Sequence, residues 1–435
     1  MRVFRSCLGV LLAAGCAGGP FAGVFHSPTP WEEYEGQLRE SGLAETAMGR
    51  SWLRASETAL ANPVAARLPL AESGYFPADL PSAVGYQVEL TRGRVFEIEV
   101  RFESSEPSRL FVDLFELRDG ERRRIRSLPT DSAVLRHEVR RTGTYLLRLQ
   151  PELLRSGRYT ISQRTLASLV FPVPSLSIRA IQSGFGAPRD AGEREHHGVD
   201  IFAPRGTPVI AVRDGTAHPG TNERGGIVVW LRDGETRRNY YYAHLDRWAF
   251  ESSRSVVRGD TLGFVGNTGN ARTTPPHLHF GIYEAGPVDP FPFLAPDDPL
   301  PDPVEFPPGR WREWVRVTAA RSQLRSGPHP GAPSLGELER GAVAQVVAAG
   351  RNTVRVRLPD GSAGYVAAGA VVSAERALRR EQLPAGSVLF ESPVPGSPPV
   401  AILDTGAVAD VLGRHGTFDL VQLPGVRPAW APGGR

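Results

Sequence analysis

Histidine is concentrated in one stretch of this sequence. Six of the ten histidines lie between residues 196 and 279. Within that stretch His196 and Asp200 form a His-x-x-x-Asp pattern, and His277 and His279 form a His-x-His pattern. Chance alone gives roughly one His-x-x-x-acid pattern in a chain of this composition, so each pattern is weak by itself. The prediction of a site therefore rests on their combination.

The His-x-His pattern indicates how its two side chains are placed. A β-strand puts residues i and i+2 on the same face, so His277 and His279 should point into one cavity while Leu278 and Phe280 face a core. Imidazole and carboxylate groups together suit Zn²⁺. Catalytic zinc sites use three protein ligands and leave one position for water, which loses a proton near neutral pH and becomes a nucleophile.

Residues 182 to 283 resemble the LytM/lysostaphin-type zinc endopeptidases of family M23. About 100 of the 435 residues are covered, and the resemblance implies an antiparallel β-sheet with the metal in an open groove. The motifs that carry it stand in order along the chain: Ser183-Gly184-Phe185-Gly186, His196-x-x-x-Asp200, Gly206-Thr207-Pro208-Val209, Asp214-Gly215-Thr216, Tyr242-Ala243-His244-Leu245, Gly263-x-Val265-Gly266-Asn267-Thr268-Gly269 and His277-Leu278-His279-Phe280.

The resemblance also implies a role for each residue. His196, Asp200 and His279 would be the zinc ligands, and His244 and His277 would flank the metal-bound water as general base and acid and stabilise the tetrahedral oxyanion. The sequence departs from the family pattern at two positions, with Pro275 where Gly is common and Gly281 where Glu is common. Neither position is a ligand, so we expect an altered loop shape with activity retained.

Length and composition predict several folded domains. The 435 residues exceed one ordinary core, and 41% hydrophobic with 22% charged residues excludes wholesale disorder and a polytopic membrane protein. We predict a mainly β, multidomain chain with short N-terminal helices, a β-sandwich, an antiparallel-β LytM-type peptidase domain and two small SH3-like barrels. The predicted boundaries are 1–15 for a lipoprotein signal peptide, 16–82 for a helical segment and linker, 83–165 for the accessory sandwich, 170–295 for the peptidase domain, 312–372 for an SH3-like domain and 383–433 for a second, degenerate one.

The two accessory predictions rest on different patterns. From residue 83 to 165 hydrophobic residues alternate, most clearly at Phe96, Ile98 and Val100, as in half-buried strands. The C-terminal part repeats at an offset of 65, so that Leu324 matches Leu389 and the closing Tyr365 falls on Trp430. The repeated unit resembles the bacterial SH3-type barrel. These units could serve either to bind wall peptides or to pack against the enzyme, and the sequence does not decide between the two roles.

Both cysteines lie in the first sixteen residues. A basic head, a short apolar run and the sequence Leu12-Ala13-Ala14-Gly15-Cys16 resemble a bacterial lipobox, in which Cys16 is lipidated and becomes the mature N-terminus. The alternative is a plain signal peptide with an incidental cysteine. We therefore predict a cell-envelope location, as a lipoprotein of the outer membrane or periplasm. The net charge of +3 gives no reason to expect a nucleic-acid partner, and the oligomeric state is left open.

The sequence thus predicts a zinc-dependent endopeptidase that hydrolyses peptide cross-links of peptidoglycan. Two other classes stay open. One is a non-catalytic wall binder or amidase activator, which should lack stoichiometric metal. The other is a secreted peptidase that acts on Gly-rich peptides of proteins or of rival cells.

Overall fold

The fold is described from a computed structural model, which covers residues 27–189, 192–394 and 396–433. The predicted signal peptide and Cys16 lie outside the described residues. In this part of the chain no helix is long and apolar enough to cross a membrane.

Two helices open the described chain, α1 (Pro30–Glu40) and α2 (Ala47–Ala61). Thr29 and Glu32 form a reciprocal capping box at the start of α1, as the Thr-Pro-x-Glu sequence indicates. The helices pack on the sandwich through two tryptophans. The Trp52 indole donates a hydrogen bond of 2.8 Å to the Pro151 carbonyl, and the Trp31 indole donates one of 2.7 Å to Gln150. The predicted short N-terminal helices are confirmed.

Nine strands form the β-sandwich. One sheet has the order β1-β3-β8-β5-β6, and the facing sheet has the order β2-β9-β4-β7. Phe96, Ile98 and Val100 of β4 are buried, as the alternation predicts. The strands are β1 (Val64–Ala65), β2 (Leu70–Phe76), β3 (Val84–Leu90), β4 (Arg94–Ser104), β5 (Leu110–Arg118), β6 (Glu121–Ser127), β7 (Val134–Glu138), β8 (Gly143–Pro151) and β9 (Gly157–Ala167).

The sandwich starts earlier in the chain than we predicted. Strands β1 and β2 lie in the C-terminal part of residues 16–82, which we predicted to be a helical segment and linker. Strand β2 pairs with β9 along its full length, from Leu70 with Gln163 to Phe76 with Gly157. The prediction of a linker in this segment is therefore wrong. The cause is that β2 buries Glu72 and Ser73, polar residues that hide its strand pattern.

The next domain is a ten-stranded antiparallel sheet around one apolar core, with the main order β10-β13-β20-β17-β16-β15-β18. The antiparallel sheet that we expected is confirmed. Its elements are β10 (Ile181–Ser183), β11 (Pro188–Arg189), β12 (Arg194–Glu195), β13 (Val199–Phe202), β14 (Pro208–Ile210), β15 (Gly215–Asn222), β16 (Gly226–Arg232), β17 (Asn239–Trp248), β18 (Arg254–Val256), β19 (Thr261–Val265), β20 (His277–Tyr283), β21 (Pro287–Val288) and α3 (Phe291–Leu294). The hairpin β11–β12 stands outside this sheet.

Two repeat units follow, in which six equivalent strands have the same order; the first unit has one further strand, β28, which pairs with β22. In the first unit the order is β24-β23-β27-β26-β25-β22, and in the second β31-β30-β34-β33-β32-β29. Each strand of the second unit stands about 65 residues after its counterpart, which agrees with the sequence repeat. The strands are β22 (Trp314–Val317), β23 (Arg321–Arg325), β24 (Ser334–Glu339), β25 (Val343–Ala349), β26 (Thr353–Arg357), β27 (Ala363–Ala367), β28 (Val371–Ser373), β29 (Arg379–Leu383), β30 (Val388–Phe390), β31 (Pro399–Ile402), β32 (Ala407–His415), β33 (Phe418–Gln422) and β34 (Ala429–Pro432).

The sandwich and the first repeat unit share one continuous sheet. Strand β2 pairs with β25 at Ser73 and Ala349, which joins four sandwich strands to seven strands of the unit. Beside this seam the carboxylate of Glu72 is buried and accepts hydrogen bonds from three tyrosine hydroxyls, those of Tyr86 (2.6 Å), Tyr159 (2.8 Å) and Tyr365. A buried charge needs such partners, so this cluster fixes the unit against the sandwich.

The peptidase-type sheet is attached to the sandwich by buried arginines. Arg94 donates hydrogen bonds to the carbonyls of Ala295 and Pro296, the second at 2.8 Å. Arg238 is paired with Glu138 of the sandwich and, at 2.8 Å, with Glu284. These contacts hold the two domains in one arrangement.

Candidate metal centre

Strands β13 and β20 bring three of the predicted residues together. Asp200 and His279 are cross-strand partners, and His196 precedes β13 by three residues. The Asp200 Oδ1 atom lies 3.0 Å from His279 Nδ1 and 3.0 Å from His196 Nε2, and the two nitrogens are 2.9 Å apart. Among the described residues, His196, Asp200 and His279 form the one cluster of His, Cys, Asp or Glu side chains that could hold a metal ion.

The surrounding hydrogen bonds orient this group for a cation. His196 Nδ1 donates a hydrogen bond of 2.8 Å to the Gly184 carbonyl, so the neutral ring presents an unprotonated Nε2 to Asp200. A nitrogen lone pair and a carboxylate oxygen repel each other at this distance unless a cation lies between them. Neighbouring ligands of a tetrahedral ion with bonds of about 2.0–2.1 Å are roughly 3.3 Å apart, so the three atoms fit Zn²⁺.

Two neighbours support the ligand residues. Arg189 donates a hydrogen bond of 2.7 Å to Asp200 Oδ2, the oxygen that faces away from the imidazoles. Gly198 packs directly under His279, because a Cβ atom there would lie 2.5 Å from the Phe280 carbonyl oxygen and 2.8 Å from the His279 ring. Only glycine allows this approach.

The other two predicted histidines lie beside the group. His244, at the bend in β17, and His277, at the start of β20, have ring centroids 5.0 Å apart, and His244 is 5.9 Å from His279. His244 Nδ1 donates to the Thr268 carbonyl at 2.9 Å, and His277 Nδ1 donates to the Pro275 carbonyl at 2.9 Å. In both neutral rings Nε2 is therefore the atom that can accept a proton.

The backbone of His244 is held in an unusual conformation. Its φ of +61° is in the left-handed region, which costs a non-glycine residue about 1–3 kcal/mol. The strain is held by a hydrogen bond of 2.7 Å from its amide to the Gly225 carbonyl. The Thr268 hydroxyl adds two more links, since it donates to the Leu245 carbonyl at 2.7 Å and accepts from the Ile227 amide at 2.9 Å.

Burial and mutual proximity shift the pKa values of the group. Burial raises the pKa of Asp200, but the adjacent imidazoles of His196 and His279 outweigh it and hold that pKa well below its usual range. Burial, followed by the proximity of His279 and His277, lowers the pKa of His244 to about 4. Burial also lowers the pKa of His279. His244 and His279 thus favour the neutral form and Asp200 the ionised form; a neutral imidazole and a carboxylate are the forms that bind a metal.

All five residues line one cleft of about 690 Å³. Its wall beyond His279 is aromatic, with Trp230 and Tyr241 at a centroid distance of 4.4 Å and Tyr283 at 5.4 Å from Trp230. The rest of the lining is mixed, with arginine and polar side chains beside Phe202, Ala243 and Ala271. A peptide could therefore reach the ligand group from solvent.

Sequence reasoning missed several residues that line or support this cleft. Arg189 and Tyr241, which line it, belong to none of the ordered sequence motifs. Thr268 does fall in the block that precedes the His-x-His pattern, and that position was the available signal. His218, by contrast, is exposed and pairs with Ser253, away from the ligand group.

Two parts of the chain match known protein families. Residues 194–290 match peptidase family M23, and residues 318–372 match the bacterial SH3 domain. The chain thus contains an M23 peptidase domain followed by a bacterial SH3 domain, as the sequence motifs indicated.

Curated relatives agree with this assignment. The chain is 34% identical over 143 residues to the L-Ala–D-Glu endopeptidase of Bacillus subtilis, which covers 30% of this chain and 44% of the relative. It is 34% identical over 130 residues to the peptidoglycan DD-endopeptidase ShyC of Vibrio cholerae, covering 29% of each. The chain therefore spans less than half the length of these relatives. Among solved structures, the catalytic domain of lysostaphin from Staphylococcus simulans is 31% identical, with coverage of 26% of this chain and 89% of that one and a TM-score of 0.24.

Proposed function

We propose that this protein is a zinc-dependent endopeptidase that hydrolyses peptide cross-links of bacterial peptidoglycan. The observation that carries the proposal is the group of His196, Asp200 and His279, whose donor atoms converge beside the Nε2-presenting rings of His244 and His277. The M23 match over residues 194–290 and the peptidoglycan endopeptidases among its relatives support it.

The three-residue group would hold the metal. Zn²⁺ bound there would act as a Lewis acid that polarises the peptide carbonyl and lowers the pKa of water. The chain itself positions this chemistry. Asp200 is fixed by Arg189, and His196 is fixed by the Gly184 carbonyl, so both ligands are oriented before any metal arrives.

His244 and His277 would handle the proton. Each ring carries its hydrogen on Nδ1, held by a backbone carbonyl, and so offers Nε2 as the acceptor. One ring would take a proton from the attacking water, and its protonated Nε2 could then stabilise the tetrahedral oxyanion. That proton would pass to the leaving amine, directly or through the other ring. Which ring serves as base is set by the side from which the peptide enters.

The accessory parts suit action at the cell envelope. If Cys16 is lipidated, the chain is attached to a membrane face, and lipid is its membrane contact. Within the first repeat unit, Tyr365 is only 1% exposed and binds Glu72 of the sandwich, which favours a docking role for this tyrosine over wall binding. The mass of the mature N-terminal peptide tests the lipid.

A digest of purified cell walls tests the proposed activity. The mature protein should release muropeptides cut in their peptide part, and a chelator should abolish that release, as read by mass spectrometry. His279→Ala should lose the metal, and His277→Ala should keep stoichiometric zinc but lose hydrolysis by about 10²-fold or more. His218→Ala, an exposed histidine of the same domain, is the matched control for both measurements.

Three outcomes would contradict the proposal. Absence of both stoichiometric zinc and hydrolysis would point to a wall binder or amidase activator. Cleavage of Gly-rich peptides without cleavage of cell walls would point to a different peptidase. Full hydrolysis by the His279→Ala variant would overturn the ligand assignment.

A further inference from the structure

The cleft carries an excess of positive charge apart from any metal. Of the described residues that line it, four have formal charges, namely Arg189, Arg194, Arg224 and Asp200. The single carboxylate is already engaged, since Oδ2 binds Arg189 and Oδ1 faces the two imidazoles. The acidic neighbours Glu195 and Glu223 do not line the cleft. The charge that remains toward the substrate is thus basic.

Arg224 differs from Arg189 in its surroundings. Its side chain is exposed at the tip of the β15–β16 hairpin and, within the described part of the chain, forms no salt bridge or hydrogen bond. Arg189, in contrast, is occupied by Asp200 and by the Ser183 hydroxyl at 2.6 Å. A guanidinium has five donors in a planar fork that fits a carboxylate, and those of Arg224 are available to a ligand.

The backbone beneath Arg224 is fixed. Its carbonyl accepts a hydrogen bond of 3.0 Å from the Asn270 amide, and the Asn222 side chain accepts one of 2.7 Å from the Gly225 amide. The Gly225 carbonyl holds the amide of His244 at 2.7 Å. Arg224 is therefore one residue from the backbone that orients His244, and it lines the same cleft. Because its backbone is fixed, only the side-chain rotamers have to be ordered when an anion binds.

We propose that Arg224 selects peptides that carry a free carboxylate next to the bond that is cut. This inference rests on the proposed peptidase function and narrows its substrate class to anionic stem peptides, as distinct from uncharged Gly-rich bridges. The aromatic wall formed by Trp230, Tyr241 and Tyr283 lies beside the same hairpin, since the Asn222 side chain donates a hydrogen bond of 3.0 Å to the Tyr241 hydroxyl, and it would contact the peptide next to its carboxylate. The carboxylate could belong to a branch within the stem peptide or to its end, and both present the same chemistry to Arg224.

The test compares matched synthetic stem peptides. One has all its carboxylates free, a second has the branch carboxylate converted to a carboxamide, a third has the terminal carboxylate converted, and pentaglycine is the uncharged reference. For the zinc-loaded wild type, kcat/KM should fall at least about tenfold on amidation of one of the two carboxylates, with the loss mainly in KM. The amidated peptide for which kcat/KM falls shows whether Arg224 binds the branch carboxylate or the terminal one.

The variants then connect this preference to one side chain. Arg224→Ala should reduce the ratio of kcat/KM between the free and the amidated peptide to about one, and Arg224→Lys should retain part of it, since the charge stays but the fork is lost. Arg272→Ala removes an exposed arginine from the neighbouring loop that does not line the cleft, and it should keep the wild-type ratio.

Two results would overturn the inference. One is a wild type for which the ratio of kcat/KM between the free and the amidated peptide is near one for both amidated peptides. The other is an Arg224→Ala variant that keeps the wild-type value of this ratio. Failure of the proposed function has a different signature, because zinc-loaded wild type would then cut no peptide in the set. In that case calorimetric binding of the same peptides to zinc-loaded His277→Ala, with and without Arg224→Ala, still decides the inference. Equal affinity for free and amidated peptides would refute it.

Discussion

Gly198→Ala should disturb the candidate metal centre although it replaces none of the predicted ligands. The added Cβ would lie 2.8 Å from the His279 ring, whereas carbon atoms pack at about 3.5–4.0 Å. The ring, or the strand that carries it, must therefore move by about 0.7 Å. Ligands need to be held within about 0.5 Å of their working positions, so we expect zinc affinity to fall by about 10–100-fold.

The same methyl group would also strain the sheet. It would meet the Phe280 carbonyl at 2.5 Å, and overpacking of this kind costs about 1–3 kcal/mol. Zinc affinity is measured by competition with a chromogenic chelator, and the free energy of unfolding is measured in urea with excess chelator, which separates the two effects. Gly184→Ala is the matched control, since no atom lies within 4 Å of the added Cβ and its carbonyl still binds His196. Wild-type zinc affinity in Gly198→Ala would refute the packing argument.

Three further predictions follow from the contacts of the site and the domain seam. Burial lowers the pKa of His244 to about 4, so the ring is neutral above that pH, and a bound cation would lower the pKa further. The acidic limb of the kcat/KM profile should therefore lie well below pH 6.5. A limb at pH 6.5 or above would contradict this prediction. Thr268→Val removes the hydroxyl that ties the loop beneath His244, and kcat should fall about tenfold with zinc content unchanged; loss of zinc would contradict it. Tyr365→Phe leaves buried Glu72 with one donor fewer and should lower the free energy of unfolding in urea by about 1–3 kcal/mol; unchanged stability would show that the cluster does not hold the seam.

The sequence was sufficient to predict that His196, Asp200 and His279 lie together as candidate metal ligands, because histidine is rare in this chain and two of its histidines stand at strand spacing. His277 and His279 could be placed on one face from their positions alone, and the structure puts both in the cleft. The conformation of His244 could not be predicted in this way. Its positive φ depends on the Gly225 carbonyl, which is supplied by a different hairpin, and no local pattern of residues indicates that contact.

The start of the sandwich could not be predicted for a similar reason, because strand β2 depends on contacts with residues far away in sequence. A strand that buries Glu72 reads as a polar segment, because a buried carboxylate is improbable without partners. Its partners are tyrosines up to 293 residues away in sequence, so only the tertiary structure reveals them. Local alternation predicted the strand around Ile98 because its burial depends on apolar side chains alone.

The equivalent aromatic residue attaches both repeat units. Tyr365 of the first unit is buried in the sandwich core, and Trp430, 65 residues later, is 3% exposed and packs against Trp314 of the first unit at 5.7 Å. Duplication of the unit therefore copied its means of attachment as well. In both copies this position contacts the part of the chain that precedes the unit, the sandwich in one case and the first unit in the other. Any surface that such copies offer to other molecules must lie on faces that this stacking leaves open.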